Sequence, residues 1–438
     1  MSSSIRIIEQ TEEVRQDRLD RLGIPALVAA TTISNLGNGI TNLAIPWFVL
    51  VTTGSPARTG IAGALTVLAT VLSGALGGAL VDRLGFKRAS IISDLLSGVT
   101  VAIIPTLHLL GVLEFWHLLV LIFVGAVFDA PGGVARTALV PRLARQADMP
   151  LERANAAMQF ADQSSRSLFG PLAAGLLIGF MGAAAVLYVD AATFALSIVI
   201  VGLLVRVRGQ AAGANGEASA PGAEPAQQES LIESIRSGFA YTLRDDFLRL
   251  VIPISLLYNF IVSPTAAVIL PVLARDEFDS AGALGLILAS FGAGSALGTI
   301  LYGWKGPRIS RSRIFILSVM LISAGFWILP FATSAWHAMI AMALVGLAIG
   351  PTNVLALTIM QERVPEEMLG RVFGVLFAFG GALAPLGVFL AGIMIEAAGL
   401  PAVMVAAAIG VTIAMLRVFM VRDLVRGFDA RADASTAT

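Results

Sequence analysis

The chain has 438 residues, 57% of them hydrophobic and only 13% charged, and its 29 basic and 29 acidic residues cancel. Soluble domains carry about a quarter of their residues charged, so an ordinary soluble protein is excluded, and zero net charge argues against nucleic acid as a partner. With no cysteine there is no disulfide framework, thiolate metal site or thiol nucleophile. The alternating ten-residue strands of a membrane barrel are absent. The composition specifies an all-α membrane protein.

In chain order, residues 1–22 are polar and charged, unlike a signal peptide. Apolar runs long enough to cross a bilayer, about 20 residues each, then fall near 24–52, 57–81, 89–112, 116–141, 153–180 and 183–205. Six more fall near 247–274, 281–303, 312–332, 335–361, 368–396 and 400–421. Short loops make successive helices antiparallel neighbours. The expected organisation is a segment at 1–22, a six-helix bundle at 23–205, a linker at 206–246, a second bundle at 247–422 and a tail at 423–438. Gly209 to Gln228 is rich in Ala, Gly, Pro, Glu and Gln, as in a flexible linker. Leu231, Ile232, Ile235, Phe239 and Leu243 then give one apolar face, suited to an interfacial helix. With the N-terminus inside, all but Arg58, Arg136, Arg166 and Arg275 of the 29 basic residues fall on the cytoplasmic side. The positive-inside rule therefore places both termini in the cytoplasm.

Between the second and third spans lies Gly78-Ala79-Leu80-Val81-Asp82-Arg83-Leu84-Gly85-Phe86-Lys87-Arg88. Gly78 permits close helix approach and Gly85 a tight turn. Asp82 closes a helix where it can meet cations or the N-terminus of another helix. Arg83, Lys87 and Arg88 hold the turn inside. Gly74, Gly78 and Asp82 correspond by spacing to Gly294, Gly298 and Tyr302 in the eighth span, a faint repeat that lacks the acid.

Two spans carry polar faces. Thr31, Asn35, Asn38 and Asn42 are spaced 4, 3 and 4 apart, and Asn155, Gln159, Asp162 and Arg166 repeat that spacing. Such faces line a water-filled cavity or pair between helices, since lipid satisfies neither. At a rise of about 1.5 Å per residue from Arg153, Asp162 lies about 14 Å deep and Arg166 about 20 Å deep. An i,i+4 ion pair that only holds the bundle is one reading; the favoured one has Asp162 exchanging a proton or Arg166 binding an anionic group. Asp190 either partners the helix of Asp162 or is protonatable. The second half offers Tyr258, Asn259, Thr352 and Asn353 among Phe260, Phe291, Met342 and Met360, an adaptable wall for apolar ligands or plain packing.

The 78–88 stretch resembles the loop signature of the major facilitator superfamily at every defined position. Arg136-Thr137-Ala138-Leu139-Val140-Pro141-Arg142-Leu143, Leu151-Glu152-Arg153-Ala154-Asn155-Ala156, Gly170-Pro171-Leu172-Ala173-Ala174-Gly175 and Asp190-Ala191-Ala192-Thr193-Phe194 narrow the likeness. So does Gln361-Glu362-Arg363-Val364-Pro365-Glu366-Glu367 before Gly370-Arg371-Val372. Together these resemble the subgroup of enterobactin exporters and macrolide efflux pumps. The glycine-rich fifth-span signature of proton antiporters is half present, with Ala174 replacing a glycine and Ala157 and Arg166 at expected glycine positions. The resemblance implies alternating access between two six-helix bundles. It also implies a cytoplasmic gate in which the acids Asp94 and Asp129, the latter seven residues before Arg136 and able to share its face, pair with the signature's basic residues, and Asp82 faces the start of the eleventh helix near Arg371.

Its implied activity is export of small amphipathic compounds, drugs or siderophore-like metabolites, by proton antiport from the bacterial inner membrane, as a monomer without cofactor or metal. Proton-coupled uptake is the second reading, and a non-transporting receptor on the same fold the third. Enzymatic function is not indicated, since no phosphate loop or nucleophile–base pair occurs.

Overall fold

The computed structural model describes residues 2–205, 231–365, 368, 371, 372, 375, 376 and 381–420. The side chains at 2–21, 74–80, 82, 231–236, 238, 246, 247, 249–252, 254, 307 and 417–420 are outside that description. Residues 206–230 of the expected linker and the whole expected tail at 423–438 therefore lie outside the described residues.

Helices α1 (Ser2–Thr53), α2 (Pro56–Leu84), α3 (Phe86–Leu109) and α4 (Phe115–Gln146) contain the first four spans. Helix α5 (Leu151–Ser164), a π-helical turn (Ser165–Phe169) and α6 (Gly170–Leu204) run on without a loop, and hold the fifth and sixth spans. Gly182, at φ +81°, breaks α6 where those two spans must reverse. Helix α7 (Leu231–Arg244) follows, then α8 (Asp246–Pro264), a second π turn (Thr265–Ile269) and α9 (Leu270–Asp276). Helices α10 (Ala281–Lys305), α11 (Arg311–Ile328), α12 (Ala335–Arg363), α13 (Ala384–Ala398) and α14 (Leu400–Met420) complete the second half. Among the described residues eight helical stretches are long and apolar enough to cross a membrane, one of them the merged 54-residue run Leu151–Leu204, and α13 and α14 are shorter and apolar.

Lipid is as apolar as a leucine side chain, so membrane helices associate through close packing and polar contacts. The second half shows this at α10 and α12. A Cβ on Gly294 would overlap the Ala343 carbonyl, and one on Gly298 the Leu347 carbonyl. From the other side, Gly346 and Gly350 lie against the carbonyls of Phe291 and Ser295. Four glycines thus let two backbones touch, and Gly294 and Gly298 are the pair that the internal repeat marks.

The packing divides the chain into two compact units. The first comprises Met1–Ala44, Leu72–Gly170 and Met181–Glu224. The second comprises Ile45–Val71, Pro171–Phe180 and Pro225–Thr438. The expected halves at 23–205 and 247–422 differ from these units, because one end of α1, α2 and α6 packs with the second half of the sequence. In the first unit, Ile24, Leu27, Leu139, Leu143, Ala154, Val201 and Val205 form one core cluster. In the second, Leu248, Leu355, Ile359, Met360, Val364 and Val372 form another.

At the basic end of the first unit, Gly85 adopts φ +75° and precedes α3 directly, so the turn between α2 and α3 is one residue long. Lys87 donates to the Gly202 carbonyl at 2.9 Å, pinning the start of α3 to the end of α6.

Candidate functional site

The polar face of α1 meets α5 in the first unit. Asn35, itself buried, donates from Nδ2 to Asp162 Oδ1 at 2.7 Å and accepts at Oδ1 from Arg166 Nη2 at 2.7 Å. Arg166 Nε donates to Asp162 Oδ1 at 3.0 Å, the i,i+4 pair that the spacing anticipated. Its Nη2 also lies 3.8 Å from Asp129 Oδ2 on α4, and Asn38 Nδ2 donates to Asp129 Oδ1 at 3.0 Å. Three helices therefore meet around one guanidinium. The π turn places Arg166 in its first residues, a distortion frequent at functional sites.

The charges do not balance. Two carboxylates share one cation, leaving one formal negative charge. None of the three side chains is fully buried, with Arg166 35%, Asp162 43% and Asp129 22% exposed. Asp129 is the more loosely held acid, its nearest cationic nitrogen being 3.8 Å away. Arg166 lies between two acids, so the reading in which it binds an anionic group loses ground. Asn42 and Gln159, expected on the same faces, are exposed and take no part in these bonds.

A second acid sits deeper. Asp190 on α6 is fully buried and accepts hydrogen bonds from Thr41 Oγ1 on α1 and from Thr193 Oγ1 at 3.2 Å. Gly37 packs on it so closely that a Cβ would overlap both Asp190 Oδ1 and Thr193 Oγ1. No ion pair to Asp190 occurs among the described residues. Of the two sequence readings, a partner for the helix of Asp162 is not what the geometry provides; Asp190 joins α6 to α1.

Asp129 and Arg136 share a face of α4 but do not pair; Asp129 lies beside Arg166. Arg136 turns instead to Asp94 on α3, its Nη1 donating to Oδ1 and Oδ2 at 3.0 Å each. Ser197 Oγ on α6 donates to the same carboxylate at 2.7 Å. Arg136 and Asp94 are 2% and 1% exposed, a buried ion pair tying α3, α4 and α6 together. The reason is axial distance. Seven residues of helix span about 10.5 Å, so Asp129 and Arg136 share a face but cannot touch.

Of the opening signature, Arg83 and Arg88 are exposed, while the side chains of Gly78 and Asp82 lie outside the described residues. Arg371 donates from Nη1 to Ser237 Oγ on α7 at 3.0 Å. Tyr241 of the same helix donates to the Arg363 carbonyl at 3.2 Å, so α7 is held on the end of α12. In the second half, Tyr258 is half-buried with its hydroxyl lacking a hydrogen bond, and Asn259 donates to the Ser255 carbonyl at 3.0 Å. Asn353 is exposed. No hydrogen bond links these three among the described residues. Sequence reasoning missed Thr41, Thr193 and Ser197, the hydroxyls serving the buried acids. Thr193, three residues after Asp190, carried the one readable signal.

The transmembrane secretion effector family matches residues 24–437 of this chain. The multidrug efflux pump Tap of Mycolicibacterium fortuitum is 30% identical over 383 residues, covering 87% of this chain and 90% of that one. Macrolide efflux protein A of Streptococcus pyogenes is 22% identical over 379 residues, covering 85% and 89%. Among solved structures, the nucleoside transporter NupG superposes with a TM-score of 0.73 over 91% of this chain and 98% of its own, at 14% identity. A POT family transporter in complex with 5-aminolevulinic acid gives 0.69 over 92% and 96%, at 11% identity. At such identities the likeness is one of fold, that of an all-α membrane transporter.

Proposed function

We propose, for a chain that belongs to the transmembrane secretion effector family of major facilitator transporters, that it exports small amphipathic compounds in exchange for protons. The observation that carries this reading is the Asp129–Arg166–Asp162 cluster with Asn35 and Asn38. One cation between two partly exposed acids provides a place where a proton and a substrate compete. Protonating one acid removes the excess negative charge; deprotonation restores it and leaves Arg166 to hold both carboxylates. Charge at membrane depth is costly and is kept where it works. Relatives bearing efflux names support the direction of transport.

In this reading the basic ends of the helices face the cytoplasm, with both termini and the 206–246 linker on that side. A single chain is the transporting unit, in a bacterial inner membrane. Asp190 acts as a second protonatable acid, held by hydroxyls in place of a cation. Tyr258, Asn259 and Asn353 are assigned to the apolar wall of the substrate path. Asp82 and Arg371 form the cytoplasmic gate, with Arg371 leaving Ser237 when that gate closes.

The test is transport of a panel of amphipathic compounds into proteoliposomes, with and without an imposed pH gradient. Concentrative movement that requires the gradient and opposes the proton flux is the expected result. Movement together with protons would replace export by uptake, and absence of movement for every compound would favour a non-transporting receptor.

A further inference from the structure

At the end opposite the basic turns, Glu396 near the close of α13 meets the start of α2. Its Oε2 accepts from Ser55 Oγ at 2.7 Å and from the Ala57 backbone N–H at 3.1 Å, across 341 and 339 residues of chain. Ala57 lies in the first turn of α2, where N–H groups have no acceptor within the helix and a negative charge is favoured. Ser55 Oγ also accepts from the Arg58 backbone N–H at 3.2 Å, so carboxylate and hydroxyl together close that helix end.

One helical turn before Glu396, the two backbones touch. A Cβ on Gly392 would lie 2.6 Å from the Pro56 carbonyl oxygen, and one on Gly60 2.9 Å from that of Val388. A second crossing joins α6 to α10, where a Cβ on Gly285 would lie 2.5 Å from the Pro171 oxygen. Both crossings belong to the second unit and explain why one end of α2 and of α6 packs with it. Glu396 is exposed, so parting its hydrogen bonds costs little desolvation.

We propose that Glu396 is the latch of an outer gate, a positioning residue that sets how long this end of the transporter stays closed. Closed, its carboxylate holds the N-terminus of α2 and the glycine crossings seal; open, Glu396 and Ser55 part and solvent takes over their hydrogen bonds. The inference rests on the alternating-access reading above, in which this end must open to release substrate.

The chain has no cysteine, so spin labels on Val51→Cys and Ala397→Cys, both exposed, report the separation in lipid nanodiscs. The labelled parent is expected to show mainly the short distance. Glu396→Ala should raise the long-distance population about two- to tenfold, the range for losing a charge and a hydrogen bond at an exposed helix end. Glu396→Gln, which keeps an acceptor without the charge, should fall between. Ser55→Ala should move the population in the same direction by less, since the Ala57 N–H remains. An unchanged distribution in Glu396→Ala overturns the latch; if that variant fails to insert, an unchanged distribution in Ser55→Ala does so. The distances are read without transport, so failure of proton-driven export and failure of the latch are separately visible.

Discussion

Neutralising Asp94 leaves Arg136 with its charge inside the first unit and no carboxylate within reach. Arg136 is 2% exposed and both its carboxylate contacts are at 3.0 Å, so solvent cannot replace the lost partner. Breaking a buried pair from one side costs about 3–5 kcal/mol, whereas exchanging the whole pair for apolar residues of similar volume is often neutral. Asp94→Asn and Arg136→Met should each therefore lower stability by about 3 kcal/mol or more. The Asp94→Leu, Arg136→Met double variant should recover most of that. It leaves Ser197 Oγ without its acceptor, a cost of about 1 kcal/mol that Ser197→Ala should relieve. A double-mutant cycle measured by denaturant titration in detergent micelles reads the coupling, expected to be at least about 2 kcal/mol. Single-variant losses below about 1 kcal/mol that simply add would refute the claim that this pair locks α3, α4 and α6. Transport altered in proportion to the loss of folded protein, and no further, marks the pair as structural.

Other consequences are as direct. Gly37→Ala should push a methyl into Asp190 and Thr193 and reduce transport at least tenfold at equal expression, measured as uptake into inverted vesicles; full activity would mean that α1 and α6 yield freely there. Gly294→Val and Gly350→Val should each prevent the α10–α12 contact and lower the yield of monodisperse protein in detergent, whereas Gly303→Ala, at a glycine facing open space, should not. Asp82→Asn should slow turnover with little change in substrate affinity from the cytoplasmic side; parental turnover would remove Asp82 from the gate.

The spans were readable because crossing a bilayer demands about 20 apolar residues, a requirement that no packing detail overrides. The reversal at Gly182 was readable only as a gap between runs, and its cause, a positive φ, is backbone geometry. The 4, 3 and 4 spacings identified Asn35, Asp162 and Arg166 as face-sharing residues, and those three do meet. Periodicity ranks residues by face but does not name partners on other helices: Asp129 and Arg136 share a face of α4, yet one meets Arg166 and the other Asp94. Asn42 and Gln159 on the same faces are exposed and make none of these bonds. Glu396 was legible only as the last residue of a span, since its partner lies 341 residues earlier in the sequence.

Coupling of substrate to protons is assigned above to the acids around Arg166. Reconstituted Asp162→Asn protein separates coupling from passage, because downhill substrate exchange needs no gradient while uphill export does. This variant should keep exchange at parental rates and lose accumulation driven by an imposed pH gradient. Undiminished gradient-driven accumulation in Asp162→Asn would contradict that assignment.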